Sequence, residues 1–305
     1  MLISVVLCTY NPSDKVIERA LDAILSQDLD RATWELLVVD NNSSPAVSTR
    51  SFIADQGIRV VVEPKQGLSA ARECGVRNTQ GSILVFVDDD NLVAANYLTT
   101  ISGIFTDANI GVVSGAITPE YVKLPARWFA EFEEMLAIRR LPTEGPYLTN
   151  IPCHNAYFPI GAGMGIRREL IRRYYRSIAE GSVYLPGRVG SQLSSGEDID
   201  LAFFAISQGY LVGTVGSLKL QHVIPPERTT TDYISRLAIA STRSAADVNS
   251  KWSDVFGGNV FESFNSSRRN ILVKCLLASL LSWLPKFRVR YHYFKTLSEI
   301  SRQGH

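Results

Sequence analysis

Short apolar runs alternate with segments of helical period along the first 115 residues. Residues 3–8 form a continuous apolar run, the pattern of a strand covered on both faces. Asn11-Pro12 ends it. Val16, Ile17, Ala20, Leu21, Ile24 and Leu25 then recur at three- and four-residue spacing, which predicts a helix with Ser13 at its N-cap. Residues 34–39, 58–62 and 83–87 predict three more strands. Residues 69–77 and 97–105 predict helices, and 110–114 a fifth strand. Such alternation predicts an α/β fold with a mostly parallel sheet and helices on both faces. Sheets of that kind bind ligands beyond the carboxyl ends of their strands. Here those ends carry Thr9-Tyr10-Asn11, Asp40 and Asp88-Asp89-Asp90.

The second half is less regular. Residues 125–141 predict a helix, and a glycine-rich segment at 158–165 leads into another at 167–175. A helix at 199–208 ends at Gly209. Strands at 211–215 and 218–222 follow, and Pro225-Pro226 closes the body. The pattern divides the chain into a body over 1–228, with halves near 1–115 and 116–228, and a helical extension over 229–305.

Composition narrows the class. With 46% apolar and 20% charged residues, the chain has the makeup of a globular protein. A net charge of +1 argues against a nucleic-acid partner. The charge is uneven, however. From residue 268 on, eight Lys or Arg against one Glu give a net +7, while 23 bases and 29 acids leave the rest at −6. A basic tail on an acidic body suits an anionic surface such as a membrane. Leu276, Leu277, Leu280, Leu281 and Leu284 fall at helical spacing beside Trp283, with Lys286, Arg288 and Arg290 following. That pattern fits a helix lying in a membrane interface; it fits equally a helix packed on the body or across a dimer. The apolar run at 275–284 is half of what spans a bilayer. Four scattered cysteines without a CxxC pair read as free thiols of a reducing compartment. The opening MLISVVLCTYN lacks a basic n-region and a cleavage site, so it reads as a strand and not a signal peptide.

The candidate chemistry sits at the strand ends. If the chain stays extended, Asp88 and Asp90 point to one side and offer a site for a hard cation, Mg²⁺ or Mn²⁺. Glu197-Asp198, at a helix start, could cap that helix or take a proton from a hydroxyl. His222 could ligate a metal or belong to the core. Arg72 could contact phosphate or ribose, or simply be an exposed helix residue. His154 and His292 have no supporting context and read as structural.

In order along the chain, VVLCTYN, VVDNNSS, GLSAAR, VFVDDDN, SGEDIDL and LQHVIPPER resemble the motifs of family 2 glycosyltransferases of the GT-A fold, over about residues 1–228. The resemblance implies an inverting enzyme that moves a sugar from a nucleotide-sugar donor, UDP favoured, to a hydroxyl of a glycan or lipid-linked acceptor. It implies that Asp40 hydrogen-bonds the base and that Thr9, Tyr10, Asn11, Arg72, Asp88 and Asp89 line the nucleotide site. Asp90, Asp88 and His222 would hold Mn²⁺ or Mg²⁺, Asp198 would be the catalytic base, and Glu197 would support it. Polysaccharide biosynthesis at the cell envelope follows from the same resemblance, with the protein cytoplasmic or peripheral on the cytoplasmic face of the membrane. Two rivals share parts of the pattern. A haloacid-dehalogenase-like phosphohydrolase also uses DxD, though on its first strand and with Thr or Val where Leu92 stands. A non-catalytic nucleotide-sugar-binding protein is the other.

Overall fold

The computed structural model describes residues 2–302 except 186 and 191, with the side chain of residue 268 also outside the description. The end of the expected helical tail, residues 303–305, therefore lies outside the described residues. In chain order the strands are β1 (Ile3–Thr9), β2 (Trp34–Asp40), β3 (Val60–Val62), β4 (Ile83–Asp88), β5 (Asn91–Val93), β6 (Ile110–Tyr121), β7 (Pro146–Thr149), β8 (Met164–Arg167) and β9 (Leu211–Ile224). The helices are α1 (Asp14–Leu25), α2 (Ser51–Ala54), α3 (Leu68–Arg77), α4 (Tyr97–Ile104), α5 (Arg168–Ala179), α6 (Glu197–Ser207), α7 (Thr231–Phe256), α8 (Arg268–Leu280) and α9 (Pro285–Arg302).

The described strands form one sheet in the order β3-β2-β1-β4-β8-β6-β9-β5, with β7 also paired to β9. Strands β3, β2, β1 and β4 are mutually parallel. Antiparallel β8 then joins β4 to β6, and β6 runs parallel to β9. The α/β sheet expected from the alternation is present. The apolar pattern explains its two covered faces. Ile3, Val5 and Leu7 of β1 and Ile83, Val85 and Val87 of β4 face a layer containing α1 and α4. Val6, Cys8, Leu84 and Phe86 face the other layer, with α3, α5 and α6. Each large apolar side chain buried this way contributes roughly 1.5–3 kcal/mol.

Several local expectations change. Strands β5, β7 and β8 are three or four residues long, too short to show a period, and the sequence reading missed them. The two late strands are one, β9, whose pairing with β6 shifts register between Gly115 and Ala116. The helix expected over 125–141 is a 3₁₀ segment, Arg127–Leu136, ended by Ala137 at φ 62°. There Phe129 is fully buried, edge-on to Tyr121 and Trp128. Ser13 precedes α1 but its side chain makes no capping bond; its carbonyl accepts from Val16 and Ile17 instead.

The division at residue 228 does not separate two cores. Helix α7 has 26 residues, about 39 Å at 1.5 Å per residue. That length lets Ile234 and Leu237 join one apolar layer and Val248 and Trp252 the other. Helix α9 packs on α7 and α8. Its Lys286 and Arg290 pair with Glu131, and its Arg288 with Asp232. Those three bases, which suited either an anionic surface or packing within the protein, are engaged by Glu131 and by Asp232 of α7.

Asp200 ties α5, α6 and α7 together. Its side chain is fully buried and accepts from Tyr174 Oη at 2.7 Å, Lys251 Nζ at 2.8 Å and Trp252 Nε1 at 2.7 Å. Removing one partner of such a buried pair strands the other charge. Asp200→Ala is expected to lower stability by about 3–5 kcal/mol, read as a fall in the urea midpoint. A shift under about 1 kcal/mol would show that Lys251 finds another partner or water.

Candidate active site

Register brings the polar strand ends to one edge. In the β1–β2 pairing Thr9 lies beside Asp40, and in the β1–β4 pairing Cys8 lies beside Asp88. After Asp88 the chain turns through Asp89 and Asp90 and re-enters the sheet as β5. Strand β5 pairs antiparallel with β9, placing Asn91 opposite His222. The turn overturns the extended-chain argument for Asp88 and Asp90: the three carboxylates diverge to three different partners. Asp88 Oδ1 lies 3.9 Å from Arg72 Nη2. Asp89 accepts from Thr9 Oγ1. Asp90 Oδ2 lies 2.9 Å from Arg228 Nη1 and 3.3 Å from His222 Nε2.

These partners set the proton affinities. Burial raises Asp88, against the pull of Arg72. Burial and the charge of Asp90 raise Asp89. Burial also works against Asp90, but His222 and Arg228 outweigh it and hold that carboxyl below its ordinary range. The trio thus carries its negative charge most firmly at Asp90.

A cavity of about 860 Å³ opens over this edge, a size that suits a ligand larger than a monosaccharide. Its lining includes Thr9, Tyr10, Arg72, the three aspartates, Glu197, Asp198 and His222, as expected. Two expected residues are placed differently. Asp40, 1% exposed, lies outside the lining, and its oxygens accept from the backbone N–H groups of Ser43 and Val47. In this arrangement it shapes the loop after β2. Asn11 likewise binds that loop through Ser43 and Ser44. Asn41 does line the cavity, but its amide is taken by Glu63, Lys65 and Gly67.

Arg72 is no surface arginine. At 4% exposure it bridges the two acidic motifs, lying 3.7 Å from Glu197 Oε2 as well as 3.9 Å from Asp88. It also donates to the Gly161 carbonyl and lies over the Phe86 ring. A Cβ at Gly161 would come within 2.6 Å of Arg72 Nη2, so glycine at this position allows the backbone to approach the guanidinium closely. Burial pushes Glu197 up, with Arg72 opposing. Glu197 is thus a buried partner of Arg72.

Asp198 stays at the cavity surface. Its Oδ2 accepts from Gly161 N–H at 2.9 Å and its Oδ1 from Ile199 N–H at 3.0 Å, so the carboxylate is fixed while retaining lone pairs. Neither acid caps α6. Gly196, at φ 142°, is the N-cap, a backbone angle that favours glycine.

Other lining residues escaped the sequence reading. Arg228 ends the LQHVIPPER motif, six residues after His222. Arg139, Arg188 and, from α7, Tyr233 and Arg236 carried no local signal. His154, read as structural, also lines the cavity, stacked on Phe261 at 4.8 Å.

Two rows of chemistry on a mixed sheet, acids at β4 and acids at the start of α6, define a GT-A-type α/β transferase fold. The profile of glycosyl transferase family 2 matches residues 4–175, more than half of the chain, and the chain belongs to that family. Glycosyltransferase AglE of Haloferax volcanii is 34% identical over 113 residues, 34% of this chain and 37% of that protein. The Escherichia coli UDP-Glc:alpha-D-GlcNAc-diphosphoundecaprenol beta-1,3-glucosyltransferase WfgD is 28% identical over 116 residues, 37% of this chain and 45% of that protein. The matching segments therefore span less than half the length of these curated relatives. The mannosyltransferase PcManGT of Pyrobaculum calidifontis, solved with GDP-Man and Mn²⁺, superposes with a TM-score of 0.61 at 18% identity, covering 99% of this chain and 86% of that one. Its fold is shared. The phosphohydrolase rival falls with the family match and with the position of DxD on the fourth strand.

Burial pushes His154 down to about 4. The unfolded chain takes up this proton near 6.5 and the folded chain resists it until about 4, so acid favours unfolding. Stability present above about pH 6.5 should fall by up to about 3 kcal/mol as pH drops toward 4. His154→Phe, which keeps the stack, is expected to flatten that part of the slope in denaturation midpoints taken between pH 7 and 4.5. Identical slopes would remove His154 from the acid response.

Proposed function

We propose that the protein transfers a sugar from a nucleotide-sugar donor, a UDP-sugar favoured, to a hydroxyl of a glycan or lipid-linked acceptor, inverting the anomeric centre. The observation that carries this reading is one cavity holding Asp90 and His222 on one side and a fixed, accessible Asp198 on another. Family membership supports transfer. The name of the E. coli relative, with its UDP-Glc donor and diphosphoundecaprenol-linked acceptor, supports the donor and acceptor class.

The donor set fits a divalent ion in part. Asp88 faces Arg72, so the three expected ligands do not converge, and among the described residues no three such side chains form a ready-made cage. Asp90 Oδ2 and His222 Nε2, 3.3 Å apart, do converge. His222 Nδ1 lies 2.9 Å from the Leu136 carbonyl. If Nδ1 carries the proton, the Nε2 lone pair faces Asp90, the outer-shell arrangement usual for a ligating histidine. Mg²⁺ and Mn²⁺ commonly use one or two protein ligands and complete their shell with phosphate and water. A bound ion would stabilise charge on the departing diphosphate.

The chain's own groups do the rest. The acceptor hydroxyl gives its proton to Asp198 as its oxygen bonds to the anomeric carbon. The bond from that carbon to the diphosphate oxygen breaks, and its electron pair leaves with the diphosphate. Arg188, which lines the cavity, adds positive charge. No enzyme nucleophile is needed. Arg72 keeps Asp88 and Glu197 apart and charge-balanced, so both motifs hold their places.

Asp198→Asn is expected to bind UDP as the wild type does and to lower transfer by about 10²–10⁴-fold, whereas Asp90→Ala should lose the Mn²⁺-dependent thermal shift given by UDP. A panel with UDP, GDP and dTDP tests the base. No shift with any nucleotide would defeat the donor reading. Normal binding by wild type with no transfer and no donor hydrolysis would favour a non-catalytic protein.

The tail supports membrane contact through apolar area. Leu276, Leu277 and Leu280 are exposed on α8, and Trp283, in the following turn, is 77% exposed. Among the described residues no helix is long and apolar enough to cross a membrane. An interfacial helix would hold the protein on the surface that carries a lipid-linked acceptor. Replacing Leu276 and Leu280 by Ser should reduce flotation with liposomes; unchanged flotation would refute this contact.

A further inference from the structure

Arg228 occupies the point on which the proposed metal ligands converge. It sits in the 3₁₀ turn Pro226–Thr229 that follows β9. Its Nη1 lies 2.9 Å from Asp90 Oδ2 and 3.4 Å from His222 Nε2, the two atoms that themselves stand 3.3 Å apart. Asp90 and His222 would hold a divalent ion through these same two atoms. Asp90 Oδ2 has lone pairs for both, but His222 Nε2 has one, which cannot serve the ion and a guanidinium N–H together, and two positive charges this close repel strongly. The Arg228 side chain is 29% exposed, and among the described residues its guanidinium makes no other hydrogen bond. It is thus free to swing into the cavity that it lines.

We infer that Arg228 is a resident cation that holds the Asp90–His222 pair without metal, is displaced when a divalent ion enters, and then takes a phosphate oxygen of the incoming nucleotide. This inference rests on the metal and donor reading above and adds to it a coupling between the two ligands. Metal entry breaks the Arg228–Asp90 bond. A nucleotide diphosphate offers the displaced guanidinium a new anionic partner. Each ligand therefore favours the other beyond any direct contact between them. The arrangement also prevents the acidic turn from standing uncompensated in the empty protein.

The test is Mn²⁺ and UDP binding to the full chain, with free Mn²⁺ followed by EPR and UDP by calorimetry. Arg228→Gln is expected to bind Mn²⁺ about tenfold more tightly than wild type without nucleotide, and to bind UDP about tenfold more weakly at saturating Mn²⁺. Arg236→Gln removes a cavity charge that does not touch Asp90, and should leave nucleotide-free Mn²⁺ affinity within about twofold. Equal or weaker Mn²⁺ binding by Arg228→Gln overturns the inference, as does equal tightening by Arg236→Gln, which would be a net-charge effect. Asp90→Ala separates the two levels. Its loss of Mn²⁺ binding with no tightening in Arg228→Gln defeats displacement alone. Retained Mn²⁺ binding in Asp90→Ala overturns the metal placement itself and displacement with it.

Discussion

Three consecutive carboxylates at the end of a buried strand impose the constraint on which the site depends. Each pair at about 4 Å repels by about 1 kcal/mol in water and about 4 kcal/mol at the effective dielectric of a protein surface. The fold answers by turning the chain after Asp88 and supplying three separate partners: Arg72, Thr9 and the His222–Arg228 pair. Because the partners come from α3, β1, β9 and the turn after β9, the acidic turn can exist only once the sheet has closed. Stability of this edge therefore depends on charge compensation from residues distant in sequence.

Arg72 extends that fact across the cavity. A buried guanidinium is tolerated where carboxylates surround it, and Asp88 and Glu197 do so from opposite sides. The DxD turn and the start of α6 are thereby coupled through one side chain. Gly161 permits this by bringing its backbone against Arg72 and against Asp198 at once. The division of labour between the two neighbouring acids of α6 follows: Glu197 faces inward to Arg72, and Asp198 keeps its place at the cavity.

Helix α7 changes the view of the C-terminal region. It lines the cavity through Tyr233 and Arg236 and enters both core layers, so the packed unit around the cavity runs past residue 228. Helix α9 is latched to the body by Glu131 and Asp232. The leucines of α8, with Val273, Leu281 and Trp283, present apolar surface outward.

Local patterning determined much of this protein. Apolar runs covered on both faces gave the parallel half of the sheet, because side-chain alternation is a property of the strand itself. The strand-end position of Asp88–Asp90 and the helix-start position of Glu197-Asp198 were legible for the same reason. What could not be read locally were partners distant in sequence. The meeting of Asp90 with His222 and Arg228 requires β5 to pair with β9 across some 130 residues. In sequence Arg72 reads equally as a ligand contact or an exposed helix residue; its burial against Glu197 and Gly161 depends on distant segments. Asp40 occupied the expected strand end, yet its oxygens were claimed by its own loop, a choice set by loop geometry. Residue type and period chose the elements and their chemistry; tertiary packing decided which charges face one another, since that depends on distances that no local period contains.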